Sequence, residues 1–145
     1  MPSLNELDRT YLSMAHMWSR LSKAVRKKVG CLIVKDGTII SDGYNGTPSG
    51  FNNECEIYPQ KGSDLRLVTK PEVLHAESNA ITKLAKSTQS SDGSTMYITI
   101  SPCLECAKLI IQSGIKRVVY KEFYRDDKGI NLLEKANINV CQYEN

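Results

Sequence analysis

Histidine is scarce in this chain: only His16 and His75 occur in 145 residues. A metal site must therefore draw mainly on cysteine or carboxylate, and a second, structural zinc site built from extra Cys and His lacks donors. The five cysteines, Cys31, Cys55, Cys103, Cys106 and Cys141, are an odd number, which argues against a disulfide framework. No apolar run approaches the length of a membrane span. The first residues, Met1 to Glu6, carry acid and form no apolar core of a signal peptide, so a cytoplasmic protein with no membrane partner is expected. A strong charge bias is missing too. With 19 Lys and Arg against 16 Asp and Glu, the net charge of +3 is modest; a nucleic-acid binder usually shows a stronger basic bias, and a small anionic ligand explains this charge at least as well. Repeats and low-complexity tracts are absent, and the length fits one domain over residues 1–145.

What is present reads as alternating helices and strands. Ser3 and Glu6 form a capping box, and Leu4, Leu7, Tyr11, Met14/Ala15, Trp18 and Leu21 recur at helical spacing, predicting a helix from Leu4 to Lys23. His16 falls near the core-facing stripe of that helix and reads as structural. Strands are predicted at Val29–Lys35 and Thr38–Tyr44, joined at Asp36-Gly37, a strong hairpin signal. Residues 45–74 are rich in Gly, Pro, Asn and charge and show no evident element, which suggests a functional or mobile loop. Helices follow at His75–Lys86, Cys103–Ser113 and Gly129–Ala136, with strands at Thr95–Ile100, Lys116–Tyr120 and Ile138–Gln142. The order α-β-β-α-β-α-β-α-β predicts an α/β fold with a mixed five-stranded sheet covered by helices.

Two short segments carry the chemistry. His75-Ala76-Glu77 and Pro102-Cys103-Leu104-Glu105-Cys106 spell H-x-E and P-C-x-x-C, the signature of zinc-dependent nucleobase deamination. Cys103 and Cys106 are three apart at a helix start, so their thiols share one face, and the helix N-terminus lowers thiol pKa. His75, Cys103 and Cys106 give three ligands for one Zn2+ per chain, and a fourth position is left for water. Glu77 is the candidate proton shuttle. The C-x-x-C pair alone would also suit structural zinc or redox chemistry, but no thioredoxin-like context surrounds it. Cys55, in the long loop, is the one awkward candidate for a fourth ligand, whereas Cys31 and Cys141 sit in strand-like runs as small hydrophobes.

Beyond the metal, Gly43, Gly46, Pro48 and Gly50 make a tight loop at a strand end, where backbone can approach a ligand. Asn45 there offers both donor and acceptor. The cluster Arg20, Lys23, Arg26, Lys27, Lys28 reads by default as a solvated face, yet a monophosphate needs only one or two such donors.

With Gly43-Tyr44-Asn45-Gly46-Thr47-Pro48-Ser49-Gly50, Arg26-Lys27-Lys28-Val29-Gly30, His75 to Ile81 and Tyr97 to Cys103 in this order, the chain resembles the cytidine and deoxycytidylate deaminase superfamily, and within it the deoxycytidylate deaminases. The resemblance covers nearly the whole chain. It implies a three-layer cytidine-deaminase-like fold and hydrolysis of dCMP to dUMP. It also implies Arg26 on the phosphate, and Asn45, Ala76, Ser101 and Tyr124 at the nucleotide. Further implied are a hexamer, activation by dCTP, inhibition by dTTP, Mg2+ accompanying the triphosphate, and an effector site involving Gly43, Tyr44, Gly46 and Thr47. Leu104 departs from the family's second proline in S-P-C-P-x-C, and Cys31 stands where alanine is usual. Competing readings are a deaminase of a free nucleoside, guanine or tRNA adenosine, and a non-catalytic nucleotide sensor. The modest charge speaks against tRNA, and Glu77 against the sensor.

Overall fold

The computed structural model describes residues 1–58 and 66–144. Helix α1 (Leu4–Ser19) opens on the expected capping box: the Glu6 amide donates to Ser3 Oγ at 3.2 Å, and the Ser3 amide to Glu6 Oε2 at 2.7 Å. The helix stops four residues before the expected end. Ser22, buried in the next turn, donates to the Asn45 carbonyl at 2.8 Å and draws the chain off the helix axis. Strands β1 (Gly30–Lys35) and β2 (Thr38–Tyr44) form the predicted hairpin, with φ of 50° at Asp36 and 75° at Gly37 as a tight primed turn requires.

The long segment that follows is not free of structure. It carries a small antiparallel ribbon, β3 (Glu56–Ile57) against β4 (Val68–Thr69), and Gly46 and Leu74 exchange backbone hydrogen bonds at 3.1 and 2.8 Å. Strands two residues long leave no periodicity in sequence, so the reading of 45–74 as one uninterrupted loop is corrected there. Residues 59–65 of that segment lie outside the described residues. Then come α2 (Ala76–Leu84), β5 (Thr95–Ile100), α3 (Leu104–Gln112), β6 (Arg117–Glu122), α4 (Lys128–Lys135) and β7 (Asn139–Gln142), all within two residues of the predicted bounds.

The main sheet has the order β2-β1-β5-β6-β7: β1 is antiparallel to β2 and β5, and β5, β6 and β7 are parallel. Alternation sorts the strands' side chains into two cores. Leu32, Val34, Tyr97 and Val119 face α1, meeting Leu12 and Ala15. Cys31, Ile33, Met96, Ile98, Val118 and Tyr120 face α2, α3 and α4. The result is the three-layer arrangement the resemblance implied.

The buried face of α1 differs from the predicted stripe. Asp8, Leu12, Ala15 and Ser19 are buried, while Leu4, Met14, Trp18 and Leu21 are exposed. Asp8 can enter the core because Arg117 clamps its carboxylate with two bonds of 2.9 and 2.6 Å and Tyr97 donates its hydroxyl at 2.7 Å. His16, read as structural near the core-facing stripe, is on the exposed side instead.

Topology gathers one edge of the sheet. The C-terminal ends of β2, β5 and β6 and the start of antiparallel β1 all arrive at the same side. That is where ligands bind in open α/β sheets.

Candidate metal centre and nucleotide cleft

Helix α2 is held against β2 by close backbone contact. A Cβ on Gly43 would fall on the Ala76 carbonyl oxygen and lie 2.8 Å from the Ala80 nitrogen. Asn79 Nδ2 donates to the Tyr44 carbonyl at 2.8 Å, and Ser41 Oγ to that of Ala80 at 2.7 Å. The Gly46–Leu74 exchange fixes the chain just before His75, the N-cap residue of α2. On the other side Cys103 is the N-cap of α3 and Cys106 lies in its first turn. Gly129 of α4 packs so tightly there that a Cβ would lie 2.8 Å from the Cys103 carbonyl oxygen.

Two helix N-termini thus converge, as the sequence suggested. His75 Nδ1 lies 3.2 Å from Cys106 Sγ and 3.5 Å from Cys103 Sγ, and the three ligand atoms fall within 4.8 Å of one another. Tetrahedral zinc bonds of about 2.05 Å to nitrogen and about 2.3 Å to sulfur put N and S about 3.5 Å apart, so the spacing fits a zinc ion. Cys55 is not a member of this group.

The electrostatics suit the same reading. A hydrogen bond from Cys106, reinforced by His75, holds the Cys103 thiol down at about 4. Cys106 is pushed well up by sharing that proton with Cys103 and by burial, and a bound cation would remove the proton outright. Contact with Cys103 raises His75 above the usual imidazole value against the pull of burial. Glu77 is only 4% exposed, and burial raises its carboxyl to about 7.

A cleft of about 250 Å³ opens over these groups. His75, Cys103 and Glu77 line it, and so do all five residues expected at the nucleotide: Arg26, Asn45, Ala76, Ser101 and Tyr124. Asn45 is partly committed: Val29 N–H donates to its Oδ1 at 2.9 Å and its Nδ2 donates to the Lys27 carbonyl at 2.8 Å. One N–H and one lone pair remain for a ligand. Ser101, fully buried, accepts the Tyr124 N–H at 2.6 Å and so seats Tyr124 at the rim. Glu56 and Thr69 also line the cleft, and neither carried a local sequence signal.

Gly43, Tyr44, Gly46 and Thr47 line a second cleft of about 400 Å³, which Asn45 and Cys55 share with the first. Lys23, Lys83 and Lys86 reach its walls.

The model of the cytidine and deoxycytidylate deaminase zinc-binding region matches residues 5–122. The deoxycytidylate deaminase of Enterobacteria phage T4 is 36% identical, with 94% of each chain covered. That of Saccharomyces cerevisiae is 34% identical over 94% of this chain and 44% of its own length. A crystal structure of the dCMP deaminase of cyanophage S-TIM5, in complex with dCMP and dUMP, superposes with a TM-score of 0.88 at 43% identity, covering 98% of this chain and 100% of that one.

Proposed function

The chain belongs to the cytidine and deoxycytidylate deaminase family, and we propose on that footing that it is a single zinc-dependent domain over residues 1–145 that hydrolyses dCMP to dUMP and ammonia. The observation that carries the reading is the meeting, in one cleft, of His75, Cys103, the buried Glu77 carboxyl and the Arg26 guanidinium, with Cys106 Sγ 3.2 Å from His75 Nδ1 completing the donor set. One Zn2+ held by the three donors would supply Lewis acidity, which makes a water nucleophilic near neutral pH.

The chain's own residues supply the rest. Arg26 takes the 5′-phosphate with a fork of donors. Tyr124 and Asn45 flank the sugar and base, and Ala76 and Ser101 form the wall behind them. Glu77 receives a proton from the attacking water and delivers it to N3 of cytosine as C4 is attacked; it then takes the remaining hydroxyl proton from the C4 adduct and passes it to the amine, which departs as ammonia. A carboxyl with a pKa near 7 is well matched to taking up and giving back two protons in turn.

Regulation belongs to the same proposal. The second cleft would take dCTP as activator or dTTP as inhibitor, with Mg2+ on the triphosphate. Support comes from the three lysines beside Gly43, Tyr44, Gly46 and Thr47 and from the wall it shares with the substrate cleft. We read the protein as a cytoplasmic homo-oligomer, a hexamer by family pattern. The exposed Met14, Met17, Trp18 and Leu21 offer a second copy an apolar face, and no helix among the described residues is long and apolar enough to cross a membrane.

A substrate panel tests all of this together. Ammonia release is measured from dCMP, deoxycytidine, cytidine and guanine, each with and without dCTP and dTTP. Release from dCMP, raised by dCTP and lowered by dTTP, is expected; release from the nucleosides but not dCMP would refute the substrate.

A further inference from the structure

Residues 20–29 join α1 to β1 without helix or strand, yet they carry Arg26. Their amides therefore need acceptors outside any helix or strand ladder. Ala24 N–H uses Ser22 Oγ at 3.2 Å and Val29 N–H uses Asn45 Oδ1 at 2.9 Å. The successive amides of Val25 and Arg26 both donate to a single oxygen, Glu56 Oε2, at 2.9 Å each. Across the ribbon from Glu56, its pairing partner Thr69 accepts from Arg26 Nη1 through Oγ1 at 3.2 Å. One two-residue ribbon thus holds both the backbone and the guanidinium of the same arginine.

We infer that Glu56 is the positioning residue for phosphate recognition: its carboxylate pins the Val25–Arg26 backbone, and Thr69 aims the guanidinium into the cleft. The inference rests on the reading of Arg26 as the phosphate ligand. A side-chain oxygen accepting two successive amides imposes a defined bend on the loop. Without it, Arg26 samples many positions before meeting the ligand, and binding is weakened. Because the device acts only through Arg26, its loss falls on phosphorylated substrates.

The test compares Glu56→Ala, Glu56→Gln and Thr69→Val with the wild-type zinc-loaded protein, using dCMP and deoxycytidine as substrates and zinc content as a check on folding. Glu56→Ala is expected to raise KM for dCMP about tenfold, the scale of one lost charge-assisted hydrogen bond, with kcat held within about twofold. Its kcat/KM for deoxycytidine stays at the wild-type value. Glu56→Gln keeps a carbonyl oxygen for the amides and restores most of the affinity. Thr69→Val raises KM for dCMP alone, by less. In an Arg26→Ala background, Glu56→Ala adds nothing. An unchanged or lowered KM for dCMP, or an equal penalty on deoxycytidine, overturns the inference. A zinc-loaded wild type inert toward dCMP instead brings down the substrate reading on which it rests.

Discussion

Glu77 is buried beside three candidate metal donors, and the same burial that raises its carboxyl to about 7 makes it a burden on the metal-free fold. A carboxyl whose pKa is higher folded than unfolded favours the folded state below the unfolded value of about 4.5, and that advantage is lost as pH rises through about 7. Chelator-treated Glu77→Gln should therefore be more stable than chelator-treated wild type at pH 8, by on the order of 3 kcal/mol, with the gap closing by pH 5. Urea unfolding at the two pH values measures this, and equal stabilities at pH 8 would show that the carboxyl is well solvated. Arg26 offers a second prediction at this scale: Arg26→Ala should retain zinc and raise KM for dCMP by ten- to a hundredfold. Unchanged affinity would assign the phosphate to another basic residue.

Among the elements, α1 depends on one polar anchor. The Asp8–Arg117 pair is nearly buried and joins α1 to β6, and Tyr97 of β5 completes it. Burial works against the Asp8 carboxylate, but bonds from Arg117 and Tyr97 outweigh it and hold the pKa below the usual range. Breaking such a pair from one side leaves a buried charge, so Arg117→Ala should cost about 3 kcal/mol or more at pH 7. The pair's contribution is present above pH 4 and lost as pH falls through the lowered Asp8 value, so the difference between Arg117→Ala and wild type shrinks in acid. Equilibrium unfolding at pH 7 and pH 3 checks both statements.

That anchor also shows where sequence reading stops. The His75-x-Glu77 and Cys103-x-x-Cys106 spacings are local, each at a helix start, and so could be read directly. Asp8 and Arg117 are 109 residues apart, and Glu56 lies 30 residues from the Arg26 amide that it accepts. In sequence Asp8 is one more acid on a polar helix face, and Glu56 an acid in a loop. The α1 stripe differs for the same reason: apolar character favours Trp18 and Leu21, whereas distant partners put Asp8 in the buried face.

For the molecule as a whole, two helix N-termini bring the three candidate metal donors together, so zinc binding and fold stability should be linked. Protonation of thiolates and imidazole competes with zinc, and lowering pH from 7.5 to 5.5 should release zinc and lower Tm together. The apolar face around α1 gives a separate expectation: Met17→Glu with Leu21→Glu should reduce the sedimenting species to a smaller assembly without loss of zinc. The most direct measurement is a paired assay of zinc content and conversion of dCMP to dUMP in wild type and Glu77→Gln. One zinc per chain is predicted in both, with stoichiometric ammonia release by the wild type and turnover reduced at least about a hundredfold in the variant. Comparable turnover by the fully zinc-loaded variant, or a fully zinc-loaded wild type that leaves dCMP intact, would contradict the account.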